Sequence, residues 1–235
     1  LKPEIIKDNK VAVVIGCEGF VGEHLLKLLT QHKNYRKVLA VSLGKIEMRL
    51  PEVKYFISTI SDIDFKRLAG NDLFICYDAS FFNAGGKYKI PESQYKHIPK
   101  MVLKAYRSGI GQVILLSSKS TDSDALFNVS RARGLVEEVV GSMGFWATHI
   151  FRPSILLGES INQNWGKSIA DKIGNKVDQI TGGWLKRNRP IEAEIVARAM
   201  LSVAQRLEEG KHIYSSEWLQ DFATSSDEKT ITKNK

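Results

Sequence analysis

The chain has 235 residues, 43% of them hydrophobic and 26% charged, which suits one large globular domain with its own core. Its net charge is +8, but the basic residues are scattered. The tightest cluster is Lys186-Arg187-Asn188-Arg189, with Lys233 and Lys235 near the end, so a solvated surface is expected and nucleic acid is not the expected partner. No apolar run approaches the roughly 20 residues that cross a bilayer, and no basic-then-apolar opening marks a signal peptide.

In chain order, the first apolar run covers residues 11–15 and leads into Gly16-Cys17-Glu18-Gly19-Phe20-Val21-Gly22. After it Val21, Leu25, Leu28 and Leu29 fall on one helical face. A buried strand, a glycine turn and a helix start place backbone N–H groups where a pyrophosphate can sit. Gly16 would permit the turn, Gly19 the close approach of phosphate, and Gly22 the packing of helix on strand. Glu18 puts a carboxylate inside this loop. Turned inward it repels a pyrophosphate; turned outward it is harmless.

The second apolar run, 38–41, ends in Ser42-Leu43-Gly44-Lys45. An NAD site usually has an acid here for the ribose hydroxyls, and an NADP site an arginine. Neither is present. Lys45 could reach a 2′-phosphate, though a solvated lysine is the simpler reading. Further strand-like runs cover 55–57, 73–77, 113–116 and 148–151, with a shorter one at 212–214. Helical patterns lie between them at 92–108, at Ala132, Val136, Val139, Val140 and Met143, and at 193–207 after Pro190. Near-continuous apolar strands alternating with helices predict an α/β fold, a doubly wound parallel sheet covered on both faces. Its ligand crevice lies beyond the carboxyl ends of the strands. Residues 224–235 read as a disordered polar tail.

Other chemistries find little support. Cys17 and Cys76 lack CxxC or histidine spacing, which suggests small core residues in a reducing, intracellular setting and no metal site. The five histidines show no ligand spacing, and His149, inside a strand pattern, reads as structural. Ser117 and Ser118 stand outside any G-x-S-x-G, which argues against a hydrolase. Asp62 and Asp64 read as caps of a short helix and not as an acid/base pair. Trp165 and Trp184 are expected in the core of a small lobe.

Several stretches together resemble the atypical short-chain dehydrogenase/reductases, in particular the Tat-interacting-protein-like branch. They are the Gly16, Gly19, Gly22 turn, Val113-Ile114-Leu115-Leu116-Ser117-Ser118-Lys119, Arg133-Gly134-Leu135-Val136-Glu137, Phe151-Arg152-Pro153-Ser154-Ile155-Leu156-Leu157-Gly158-Glu159, and Ile195-Val196-Ala197-Arg198-Ala199-Met200. The likeness spans about residues 10–222. It implies a single Rossmann-type domain over 1–223 with a small C-terminal lobe, about 155–190, above the crevice. It also implies NADP or NAD as the ligand. The contacts it assigns come from the turn (Gly16, Cys17, Glu18, Gly19, Phe20, Val21, Gly22), from Leu43 and Lys45, and from Ala79 and Ser80. Ser117, Arg133, Pro153 and Leu156 complete them.

In the family a tyrosine and a lysine four residues apart on one helix face carry the proton transfer, and a serine, here Ser118, orients the substrate oxygen. Counting from Ser118 puts Val129 at the tyrosine position and Arg133 at the lysine position. None of the seven tyrosines is followed four residues on by lysine or arginine. The family's threonine pair after strand four reads Asp78-Ala79-Ser80, and its arginines after strand two read Leu43 and Gly44. The departures cluster around cofactor and proton transfer. The expectation is therefore a pseudoenzyme, a non-catalytic binding or scaffold protein working with a protein partner or assembly, with NAD(P) retained or lost. The alternative is an active oxidoreductase or isomerase with a substitute donor, for which Tyr77 is the candidate.

Overall fold

The computed structural model describes residues 6–46, 49–76, 96–118, 128–157 and 189–233, with backbone alone at 128–132, 155, 157 and 226–233. Nine strands are described: β1 (Lys10–Ile15), β2 (Tyr35–Ser42), β3 (Val53–Ile57), β4 (Asp72–Ile75), β5 (Gln112–Leu116), β6 (Ala147–Arg152), β7 (Ile155–Leu157), β8 (Pro190–Glu192) and β9 (Gly210–Ser215). The helices are α1 (Phe20–Gln31), α2 (Ile98–Arg107), α3 (Asn128–Ser142), α4 (Ala193–Val203) and α5 (Ser216–Lys233). A 3-10 turn spans Ile60–Asp62.

Seven strands form one sheet in the order β3-β2-β1-β4-β5-β6-β9, with every pair parallel. The strand order reverses between β1 and β4, which opens a crevice at their carboxyl ends. This is the doubly wound parallel sheet expected from the sequence.

Period-two alternation within covered strands builds two cores. Along β1, Ala12 and Val14 face one core while Val11, Val13 and Ile15 face the other. The first core is closed by α1, α4 and α5, the second by α2 and α3. On α1, Leu25 and Leu29 are completely buried, each worth about 1.5–3 kcal/mol relative to exposure. Alanines on α4 (Ala193, Ala197, Ala199) are buried too. Cys17 and Cys76, neither of them in a disulfide, are buried in the first core, as small core residues would be.

Polar side chains gather at the amino ends of the strands. Lys10 Nζ pairs with Asp72 at 2.6 Å and donates to the carbonyl of Ala204, the residue that ends α4. Tyr35 donates to the same Asp72 carboxylate, and Gln112 Nε2 donates to the same Ala204 carbonyl at 3.1 Å. His149, fully buried in β6, donates from Nε2 to Gln112 Oε1 and accepts at Nδ1 from the Tyr214 hydroxyl. Because Gln112 uses its amide nitrogen on Ala204, its oxygen must be the acceptor, and this fixes the neutral tautomer of His149.

Some elements differ from the sequence reading. β7 and β8 form a two-stranded parallel sheet of their own. Only three residues long each, they carry too few positions for a period to register. Helical backbone in α5 runs through Lys233, into the stretch expected to be a disordered tail. No glycine or proline interrupts it, and Thr224 and Ser225 satisfy their hydroxyls on carbonyls one turn back, at Gln220 and Asp221. Asp62 accepts from Thr59 Oγ1 and Asp64 from the Lys66 N–H, so both serve local turns. Of the lobe expected at about 155–190, residues 158–188, with Trp165 and Trp184, lie outside the described residues, as do Lys119, Tyr77, Asp78, Ala79 and Ser80.

Candidate functional site

The loop from β1 into α1 is built as a tight cradle. Gly16 has φ +78°, the left-handed region that favours glycine, and its N–H bonds the Val41 carbonyl of β2 at 3.0 Å. Gly19 folds back to donate to the Gly16 carbonyl at 3.3 Å and then accepts from Glu23 at 2.9 Å, which starts the helix. A Cβ on Gly22 would stand 2.4 Å from the Gly16 carbonyl oxygen and 2.8 Å from the Cys17 Cα. Those neighbours are backbone, so α1 can sit this close to the turn only with glycine at 22. No side chain caps the N-terminus of α1, whose first-turn N–H groups have no acceptor within the helix. A cradle that excludes a Cβ, beside an uncapped helix start at a sheet's switch point, fits a dinucleotide pyrophosphate.

Glu18 answers the question its position raised. It reaches across to β2, where Oε1 accepts the Leu43 N–H at 2.9 Å. Oε2 is buried and has no hydrogen-bond partner among the described residues. The Cys17 thiol beside it is pushed up to about 12, first by burial and then by the Glu18 carboxylate. Residues 43–45 after β2 include no acid, yet a carboxylate occupies the end of that strand, supplied by the glycine loop. Beyond it Ser42 closes a short turn on Gly44, and Lys45 is exposed.

On the other side of the switch point, Ser117 and Ser118 follow β5 and are both buried. The Ser117 N–H bonds the Phe151 carbonyl at 2.7 Å, which ties the end of β5 to β6. From α3, Arg133 Nη1 donates to Ser118 Oγ at 3.3 Å. Four residues on, Glu137 accepts from both Nε and Nη2 of Arg152, at the end of β6. The i, i+4 spacing on α3 thus sends an arginine and a glutamate to two neighbouring strand ends. Pro153 and Leu156 are buried just beyond, after β6 and in β7.

The described residues singled out from the sequence therefore converge at the carboxyl ends of the strands: the turn from Gly16 to Gly22 after β1, Leu43 and Lys45 after β2, and Ser117 with Ser118 after β5. Arg133 comes in from α3, and Pro153 and Leu156 from beyond β6. Ser118 and Arg133, aligned only by counting, are in direct contact. The backbone of Val129 lies one turn before Arg133 on α3. Two links escaped the sequence reading, the bond from the Leu43 N–H to Glu18 and the Glu137–Arg152 pair. The second had a signal, since both partners fall in stretches quoted for the resemblance. Among the described residues no group of histidine, cysteine or acidic side chains could hold a metal ion, and no helix is long and apolar enough to cross a membrane.

No protein-family model matches the chain. Among curated proteins it is 25% identical over 210 residues to the Aspergillus niger "Protein fmp52, mitochondrial", covering 84% of this chain and 88% of that one. It is 24% identical over 210 residues to rat "Protein HTATIP2", covering 86% and 84%. Among solved structures it resembles a short chain dehydrogenase family protein from Francisella tularensis, with TM-score 0.57, 15% identity and coverage of 89% and 98%. It also resembles the Bordetella bronchiseptica enzyme WbmG in complex with NAD, with TM-score 0.62, 8% identity and coverage of 88% and 73%. The resemblance read from the motifs is thus borne out: by sequence the chain is a relative of the Fmp52 and HTATIP2 proteins, and by fold it is of the Rossmann type seen in short-chain dehydrogenases.

Proposed function

We propose that this protein is a nicotinamide-dinucleotide-binding member of the atypical short-chain dehydrogenase group that has given up hydride chemistry and works by binding, as a subunit or stabiliser of a larger assembly. The observation that carries the reading is the contact between Arg133 and Ser118. Where the family has a serine, a tyrosine and a lysine, this chain has Ser118, Val129 and Arg133. Valine has no proton to give. A guanidinium remains charged throughout the accessible pH range, so it can grip ribose or phosphate but cannot exchange a proton as lysine can. The glycine turn, by contrast, keeps the form that a pyrophosphate needs.

On this reading the turn holds the pyrophosphate and Arg133 the ribose at the nicotinamide end; the bound group would itself supply only hydride capacity, which neither Val129 nor Arg133 couples to a proton. The names of the Fmp52 relatives point to the mitochondrion as its compartment, which fractionation of tagged protein checks. The functional test is a pair of assays on the purified chain. Titration with NADH or NADPH should show saturable binding, while a panel of aldehydes and ketones should leave the reduced cofactor unoxidised. Steady oxidation by any of them, abolished in a Gly22→Ala variant, would establish an enzyme and end the proposal.

A further inference from the structure

Dinucleotide crevices of this fold sort NAD from NADP at the carboxyl end of β2. An acid there accepts the ribose hydroxyls and repels a 2′-phosphate; an arginine does the reverse. Judged by its sequence alone, this chain has neither, because residues 42–45 are Ser-Leu-Gly-Lys. The geometry supplies what the strand lacks. Glu18 leaves the glycine loop, and the Leu43 N–H anchors its Oε1 at the first position after β2. That bond spends one carboxylate oxygen on holding the group still. The other, Oε2, is shielded from solvent and has no hydrogen-bond partner among the described residues. A buried acceptor without a donor costs free energy until one arrives. A ribose hydroxyl is such a donor. A phosphate dianion is not, and two negative groups in contact repel.

We propose that Glu18 is the specificity-determining residue of this crevice: its carboxylate, fixed at the end of β2 from the glycine loop, accepts the adenosine-ribose hydroxyls of NAD(H) and turns NADP(H) away. The inference rests on the reading that the crevice binds a dinucleotide at all. Lys45, two residues beyond Leu43, is the competing cation, but it is exposed and Glu18 stands nearer the strand end.

The test is fluorescence titration of the full chain with NADH and with NADPH, repeated on Glu18→Gln and Glu18→Ala. The ratio of the two affinities is read within each protein, so a loss of folded material does not distort it. The wild type should favour NADH by roughly tenfold or more, and both variants should lose most of that preference by gaining NADPH. Equal binding of the two by the wild type, or a ratio unchanged by both substitutions, would overturn the assignment and leave dinucleotide binding intact. Binding that appears only in the variants would show that Glu18 shuts the crevice, which overturns the assignment too. Absence of binding in all three proteins would remove the dinucleotide reading and this inference with it.

Discussion

Gly22 and Gly44 flank the same crevice but differ in what surrounds them. A methyl group on Gly22 meets the Gly16 carbonyl oxygen at 2.4 Å, whereas one on Gly44 meets nothing within 4 Å. Gly22→Ala must push α1 off the turn, an overpacking that costs about 1–3 kcal/mol. Gly44→Ala should stay within about 0.5 kcal/mol of wild type. Urea unfolding of the two variants separates them, and a Gly22→Ala protein as stable as the parent would mean that the turn is looser than described. Cys17 belongs to the same scale. With its thiol pushed up to about 12 and its side chain buried, almost no thiolate exists near neutral pH. Iodoacetamide should leave Cys17 unmodified in the native protein at pH 7.5 and label it once urea unfolds the chain, as peptide mass mapping would show.

At the scale of elements, the fold was readable wherever both faces of a strand are covered. Residues 11–15, 38–41 and 113–116 stand out as unbroken apolar runs because each side chain enters one core or the other. β7, β8 and α5 were missed for want of that signal. The polar links at the strand beginnings were unreadable for a different reason. Lys10, Asp72 and Gln112 each look like the ordinary polar start of an apolar run, and only the parallel register of β1, β4 and β5 brings them together. Glu18 was legible as a hazard in the loop but not as a group at the end of β2, since its partner lies 25 residues on. His149 was read as structural, and its bonds join β5, β6 and β9. Burial, followed by His212 and Arg206, lowers it to about 3 from an ordinary 6.5. The folded chain therefore keeps it neutral while the unfolded chain protonates it below pH 6.5. Its contribution is whole above pH 6.5 and is lost as pH falls toward 3, at up to about 1.4 kcal/mol per pH unit. Urea midpoints measured from pH 7 to pH 4 should fall on this account. His149→Gln, which cannot titrate, should flatten the dependence; an equally steep decline in that variant would assign it to other groups.

Across the whole molecule, the two ends of the sheet have separate duties. The amino end holds a buried ion pair, Lys10 with Asp72, tied to Tyr35 and to the last turn of α4. The carboxyl end holds the glycine cradle, Glu18, Ser118 and Arg133. A β1 of six residues lies between them, about 20 Å of rigid, fully buried strand. Lys10→Met leaves the Asp72 carboxylate buried without its cation, a loss of about 3–5 kcal/mol. Pairing it with Asp72→Asn removes the stranded charge and should restore part of that stability. Neither change touches the cradle, so the ratio of NADH to NADPH affinity in the folded fraction should match wild type in both proteins. Glu18→Gln should behave in the opposite way, with the ratio altered and the urea midpoint nearly kept. A double-mutant cycle of Lys10→Met with Glu18→Gln therefore has additive free energies as its expected result, within about 0.5 kcal/mol. A coupling larger than that would mean that β1 transmits strain from one end to the other, and that the stability of the sheet and the selectivity of its crevice are one property and not two.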